Sequence, residues 1–361
     1  MEATGRGALA PPELGADAAG LALGADAAGF ALGMAATPGV ALGGSFLQPS
    51  KSKLAIANEA ARFRLLTHVD AVRGSIYAAA PVILDRNSVG QTAAPTTFSY
   101  DWRALATYAL GIGAKQNELD YLYEGRGPKV YPTFAVVPAF PSMMAAIALT
   151  KGDVTTVVHG SQSVRAHKPI ASKGTLVSTG RVGGIYDMKK LANVNLIVET
   201  RDEAGELVYE TDWNILFRGP VAPGAPPPPK HEAPSVPRER PCDARVVEAT
   251  TPEQALLYRL SGDPNPLHAD PIFAAEVGFP QGPILHGLCT YGHAARAVVN
   301  ALLDGDASRL RRFDCQFRKP VWPGDTLITE MWRLDDGRVS ISTLVEGKPD
   351  PVLTQCWASI D

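Results

Sequence analysis

The chain has 361 residues, 45% of them apolar and 20% charged, with a formal net charge of -3, the profile of a globular protein with room for two domains of ordinary size. No basic excess marks a nucleic-acid surface, and no run approaches the roughly 20 uninterrupted apolar residues that a membrane-spanning helix needs. Cys242, Cys289, Cys315 and Cys356 show neither CxxC spacing nor a histidine at ligand spacing, so neither zinc nor a disulfide framework is expected and a reducing compartment fits best.

Residues 1–50 are of low complexity: LGADAAGLA at 14–22 is nearly repeated by LGADAAGFA at 23–31. Such small side chains offer little to offset the ordering of the chain, and the segment reads as disordered. Glu2, Glu13, Asp17 and Asp26 against Arg6 alone argue against a mitochondrial presequence. The final Ala-Ser-Ile-Asp is not the peroxisomal Ser-Lys-Leu signal. A cytoplasmic location is expected on these grounds, with peroxisome and mitochondrion as alternatives. The apolar spacing of 54–66 is helical, but the stretch 51–96 receives no functional assignment.

From residue 100 a helix is predicted through 110, stopped by Gly111-Ile112-Gly113. A second is predicted over 140–149 with Pro141 in its first turn. Strand-like runs follow at 154–158, 175–182, 194–200 and 213–217. Residues 219–241 are too rich in proline for helix or sheet and read as an extended linker. Beyond it the order repeats: a helix near 253–260, a long apolar helix over 287–303, then strands at 312–317, 326–332, 339–345 and 353–360. Residues 97–218 and 242–361 thus read as two similar α+β halves, each a long helix wrapped by an antiparallel sheet.

The most informative segment is Gly262-Asp263-Pro264-Asn265-Pro266-Leu267-His268, followed some 20 residues later by His286-Gly287. Its two prolines fix φ and stiffen the loop, so a carboxylate and an imidazole are presented together at little ordering cost. That pair suits a reaction in which water is held and deprotonated at one carbon while a proton goes to its neighbour. Asn265 can hold the water or orient a partner. Gly287 opens the long apolar helix, where a first-turn N–H is free to polarise a carbonyl. The alternative reading of the loop is a helix cap, with Ser261, Asp263 or Asn265 satisfying backbone N–H groups and His268 merely buried. Gly287 has its own alternative as a close-packing glycine, and His286 is expected to be structural.

The pattern resembles the MaoC-like, type 2 enoyl-CoA hydratases, including the hydratase part of the peroxisomal multifunctional enzyme. The resemblance runs over about residues 97–361, taking in Tyr108-Ala109-Leu110-Gly111-Ile112-Gly113-Ala114, Tyr131-Pro132-Thr133-Phe134 and Arg318-Lys319-Pro320-Val321-Trp322-Pro323-Gly324-Asp325. It implies a double hot-dog fold and hydration of a trans-2-enoyl-CoA to the (R)-3-hydroxyacyl-CoA. In it Asp263 and His268 share one water, the Gly287 N–H meets the thioester oxygen, and the first half, lacking the loop, shapes the acyl pocket. Tyr131, Phe134 and Met143 are candidates to line that pocket; Lys319, and in the first half Lys168, are candidates for phosphate or pantetheine contacts. The partner expected is an acyl-CoA, neither nucleic acid nor membrane, with a homodimer as a further expectation. No cofactor is expected, since hydration needs neither redox chemistry nor a metal and the sequence has no P-loop or GxGxxG. The competing readings are a hydratase for short, branched or dicarboxylic acyl-CoA such as mesaconyl-CoA, a noncatalytic acyl-CoA-binding module, and a hot-dog thioesterase. The last needs a carboxylate on the central helix, and 287–303 contains none.

Overall fold

Strand pairing through the middle of the chain decides the architecture. The computed structural model describes residues 83–154, 157–189, 191–218, 224–230 and 233–361. The expected disorder of 1–50 and the helix over 54–66 lie outside the described residues.

In the first half, β1 (Thr96–Tyr100) leads into α1 (Trp102–Gly111), a short α2 (Leu119–Leu122) and the long α3 (Val136–Ala148). Then come β2 (Val157–Ala166), β3 (Gly174–Asp187), β4 (Leu191–Arg201) and β5 (Leu207–Arg218). The second half runs β6 (Ala244–Ala249), α4 (Gln254–Tyr258), α5 (Pro271–Glu276), the long α6 (Gly287–Leu302), β7 (Leu310–Phe317), β8 (Thr326–Arg333), β9 (Arg338–Val345) and β10 (Leu353–Ile360). The strands form one ten-stranded antiparallel sheet in the order β1-β3-β4-β5-β2-β7-β10-β9-β8-β6. Each half has the same internal order read from its outer edge, and the halves meet where β2 pairs with β7, Ser161 opposite Gln316 and Arg165 opposite Arg312. This is a double hot-dog: α3 packs on β1, β3 and β4, and α6 on β6, β7 and β8.

Local sequence explains most of these elements. The β4 residues alternate in burial along the whole strand, as a strand with one face on the core must. Asp101 caps α1 by accepting from the Arg103 and Ala104 N–H groups. α6 is buried nearly all round, the mark of a central helix rather than a surface one. α3 begins earlier than its sequence predicts, because it continues directly from a 3-10 turn at Pro132–Ala135, so Pro141 stands inside the helix instead of in its first turn. The strand expected at 154–158 overlaps β2 only at Val157 and Val158, and β2 runs on to Ala166. Among the described residues no helix is long and apolar enough to cross a membrane.

A charged cluster ties the halves together behind α6. Arg296 on that helix meets both Glu248 of β6 (2.6 Å) and Glu118 ahead of α2, and Lys115 reaches Glu248 at 3.1 Å. Tyr131 donates to Glu118 at 2.8 Å. Burial pushes the Glu248 carboxyl up, but His293, Arg296 and Lys115 outweigh it and hold the group at about 2.

Candidate active site

The segment between β6 and α6 folds over the sheet and carries the Asp263–His268 loop. Gly262 turns the chain at φ +115°, a conformation that a side chain would strain. Asp263 then accepts the Asn265 N–H at 3.1 Å, and the Asn265 side-chain oxygen accepts the Leu267 N–H at 3.0 Å, capping a 3-10 turn at Pro266–His268. Asp270 caps α5 immediately afterwards, accepting from Ile272 and Phe273. Leu267 is fully buried in a small separate core with Ala274, Val277 and Phe279, so the loop is anchored one residue before the imidazole. The capping reading of these residues therefore describes real hydrogen bonds. It uses one oxygen each of Asp263 and Asn265, and both residues still face a cavity.

That cavity, of about 200 Å³, lies between the halves. The second half supplies Asp263, Asn265, His268, His286, Gly287 and Phe317; the first supplies Phe140, Met143, Val157, His159, Trp213 and Ile215. His268 points Nδ1 at the Ile284 carbonyl, 2.8 Å away. A carbonyl only accepts, so Nδ1 carries the proton and Nε2 is left with its lone pair. Burial lowers the His268 pKa, against the opposing pull of Asp263 and of the Ile284 carbonyl, so the ring is neutral at neutral pH and able to take a proton. Gly287 is the first residue of α6, and its N–H makes no hydrogen bond among the described residues. A Cβ placed there would stand 3.1 Å from the Phe317 ring.

His286 was expected to be structural, and the structure puts it against the dyad. Its ring stacks on His268 at 3.7 Å between centroids and meets Tyr258 at a tilt of 51°, 5.0 Å away. Burial drives its pKa far down, and neither ring nitrogen closes a hydrogen bond of good geometry, although the Asp263 backbone approaches one of them. Donor atoms of Asp263, His268 and His286 lie within 4.8 Å of one another, the spacing of a metal-ligand set. The two ring planes are only 27° apart, however, so their in-plane lone pairs run nearly side by side. Convergence on one metal would require a ring to turn. The arrangement suits a water molecule between carboxylate and imidazole better.

The remaining sequence candidates divide. Lys319 lines the cavity at its mouth, beside Arg318, and pairs with Asp350 at 3.3 Å. Lys168 does not line it and pairs with Asp202 at 2.5 Å. Met143 lines the cavity, but Tyr131 and Phe134 do not: Tyr131 stacks on Tyr121 and bonds Glu118, while Phe134 packs edge-on to Tyr108. Both are core because the turn before α3 aims them under the helix layer. The residues that sequence reading missed are His159, Trp213, Ile215 and Phe317. Each comes from a strand, and the one available signal was the His159-Gly160 pair at the start of β2.

The molecule is thus a double hot-dog whose cavity sets a carboxylate and an imidazole beside the first turn of its central helix. Residues 235–350 match the MaoC like domain and residues 98–219 the MFE-2 hydratase 2 N-terminal domain. The chain is 40% identical over 271 residues to 3-hydroxyacyl-thioester dehydratase Y of Mycobacterium tuberculosis, covering 73% of this chain and 92% of the relative. It is 36% identical over 282 residues to the peroxisomal enoyl-CoA hydratase 2 of Arabidopsis thaliana, covering 72% and 89%. The crystal structure of a MaoC-like dehydratase from Phytophthora Capsici superposes with a TM-score of 0.67 at 29% identity over 76% of this chain and 97% of the other. The chain belongs to the MaoC-like hydratase 2 family.

Proposed function

We propose that the protein catalyses reversible, (R)-specific hydration of trans-2-enoyl-CoA thioesters. The observation that carries this reading is the fixed tautomer of His268: Nδ1 is committed to the Ile284 carbonyl, which leaves Nε2 as a base beside the Asp263 carboxylate. A water between the two loses a proton to Nε2 as its oxygen adds to C3 of the enoyl chain. Asp263 holds the same water and offsets the imidazolium that forms. The negative charge that builds on the thioester oxygen is met by the Gly287 N–H at the positive end of α6. The proton then returns from the dyad to C2 on the same face, so the elements of one water are added and both residues end as they began. The names of the Mycobacterium and Arabidopsis relatives, a 3-hydroxyacyl-thioester dehydratase and an enoyl-CoA hydratase, support the substrate class and its reversibility.

Arg318 and Lys319 at the mouth of the cavity suit the phosphates or pantetheine of CoA, and the apolar wall from the first half suits the acyl chain. The four free cysteines suit a reducing compartment that handles acyl-CoA, cytoplasmic or peroxisomal.

The test is loss of conjugated-thioester absorbance with crotonyl-CoA and with a long-chain trans-2-enoyl-CoA, product configuration being assigned by stereospecific 3-hydroxyacyl-CoA dehydrogenases. The wild type is expected to form the (R) product, and Asp263→Ala and His268→Ala each to lose at least about a hundredfold, as loss of a general acid or base does. An (S) product, or near-wild-type rates in both variants, sinks the proposal.

A further inference from the structure

The wall of the cavity opposite the catalytic loop contains a polar side chain that the hydration chemistry does not use. His159 lies near the start of β2, where the pairing with β5 slips by one residue between His159 and Ser161. Such a bulge re-aims a side chain. Here it turns the imidazole onto the cavity, flat against Trp213 (12° between planes, 5.3 Å between centroids) and 4.7 Å from Phe317. Phe317 in turn abuts Gly287, so His159 lies about one aromatic ring beyond the position assigned to the thioester carbonyl. In the same wall Met143 and Trp213 are almost fully buried and His159 is partly so, whereas the Lys319 side chain, on the same cavity, is 34% exposed. On the proposed function the first-half wall in which His159 stands is the acyl side of the cavity.

The hydrogen bonding of the ring fixes what it offers. Nε2 lies 3.1 Å from the Ser161 carbonyl, which can only accept, so Nε2 is the protonated nitrogen and Nδ1 carries the lone pair. Among the described residues Nδ1 closes no hydrogen bond of good geometry, although the Gln162 side chain approaches the ring, and it is not among the sealed, unpartnered polar atoms of the interior. It is an acceptor open to the cavity. Burial lowers the His159 pKa to about 4, against the pull of the Ser161 carbonyl and Gln162, so the ring presents a neutral acceptor and not a cation at neutral pH. A neutral acceptor in an apolar wall rewards a hydrogen-bond donor and gives nothing to an alkyl chain. It also repels a carboxylate, which has no proton to share.

We propose that His159 is a specificity-determining residue that selects acyl chains bearing a hydroxyl group a few carbons beyond the thioester, by accepting a hydrogen bond at Nδ1. For the catalysed reaction this rests on the hydratase reading above; for binding it does not. The same acceptor could otherwise meet an amide N–H of the pantetheine arm, common to every acyl-CoA, and the experiment separates the two.

Equilibrium binding of unreactive saturated acyl-CoA thioesters to the purified full chain is the direct measurement. The probes are hexanoyl-CoA, its 4-, 5- and 6-hydroxy derivatives and adipoyl-CoA, titrated into wild type, His159→Phe and His159→Asn, with thermal unfolding confirming that each variant is folded. The wild type is expected to bind at least one hydroxyhexanoyl-CoA about tenfold more tightly than hexanoyl-CoA, the factor that one added hydrogen bond gives. His159→Phe should abolish that ratio while changing hexanoyl-CoA affinity less than threefold, and His159→Asn, which keeps an acceptor near Nδ1, should restore part of it. Equal weakening of all probes in His159→Phe overturns the proposal in favour of a pantetheine contact. A wild type that discriminates among none of the probes, or favours the carboxylate of adipoyl-CoA, overturns it outright. If binding behaves as expected but no trans-2-enoyl-CoA is hydrated, the hydratase reading fails and the acceptor assignment stands.

Discussion

Asp263 and His268 each serve two masters, and their usefulness depends on the division. Asp263 accepts one hydrogen bond from the loop, from the Asn265 N–H, and His268 donates one from Nδ1–H to the Ile284 carbonyl. Both bonds fix an orientation while leaving the opposite atom for water. With His268 as the proposed base, its protonation sets how activity varies with pH. The base must be neutral, and burial moves its pKa below the ordinary value of 6.5 while Asp263 pulls it back. Hydration should therefore be flat through neutral pH and decline only at pH values below 6.5. Replacing Asp263 by Asn removes a negative charge that favours the imidazolium, so the acid limb of the residual activity should move further down. Measuring kcat/KM against pH, which reports the free enzyme, checks this; a limb that lies above 6.5, or that rises in Asp263→Asn, contradicts the assignment of His268 as the base.

At the scale of elements, the site depends on how closely α3 lies on its sheet, because that helix carries Phe140 and Met143 into the cavity. Ser142 fastens it, donating to the Ser178 carbonyl of β3 at 2.7 Å and sitting 2.6 Å from the Thr96 hydroxyl of β1. Gly180 permits the approach: a Cβ there would stand 2.3 Å from the Ser142 carbonyl oxygen, a backbone atom that cannot swing away. Gly180→Ala should lift the helix at a cost of about 1–3 kcal/mol, as overpacking does, measured by urea unfolding, and should shift the ratio of long- to short-chain turnover. Unchanged stability would mean that α3 is less firmly docked than its contacts indicate. The strands beneath it were legible because a buried face imposes alternation, and the 353–360 prediction coincides with β10. The short edge strands β1 and β6 were not, since five or six residues with one weak apolar face carry little periodicity. α3 was placed late because Pro141 resembles a first-turn proline, and only the preceding 3-10 turn shows otherwise. The Asp263–His268 loop was readable because its chemistry is contiguous in sequence. His159, Trp213 and Phe317 share a wall only through the β2–β5 and β2–β7 pairings, which no local pattern encodes, and nothing in Tyr131 or Phe134 distinguishes a core aromatic from a pocket one.

On the proposed function neither half suffices: the second half carries Asp263 and His268 and the first supplies most of the apolar cavity wall, so catalysis would require that they stay joined. β2 and β7 join them at the sheet, and the Glu118–Arg296–Glu248 cluster joins them behind the central helix. In this cluster two carboxylates face one guanidinium, with Lys115 and His293 as further partners of Glu248. Removing one member of such a buried set leaves a charge poorly compensated. The pH dependence gives the sharper test. Glu248 is held at about 2 against an ordinary 4.5, so its ionisation favours the folded state by about 3 kcal/mol at neutral pH. Because the folded pKa is the lower of the two, this contribution is fully present above about pH 5 and is lost as pH falls from 4.5 toward 2. The stability difference between wild type and Glu248→Gln, taken from urea unfolding at a series of pH values, should therefore be level between pH 8 and 5 and shrink steadily below 4.5. Subtracting the variant removes the many other carboxylates that titrate in the same range. A difference that stays constant down to pH 3 would show that Glu248 is not the ionised partner of Arg296, and the junction would then rest on the Glu118 pair and the β2–β7 hydrogen bonds alone.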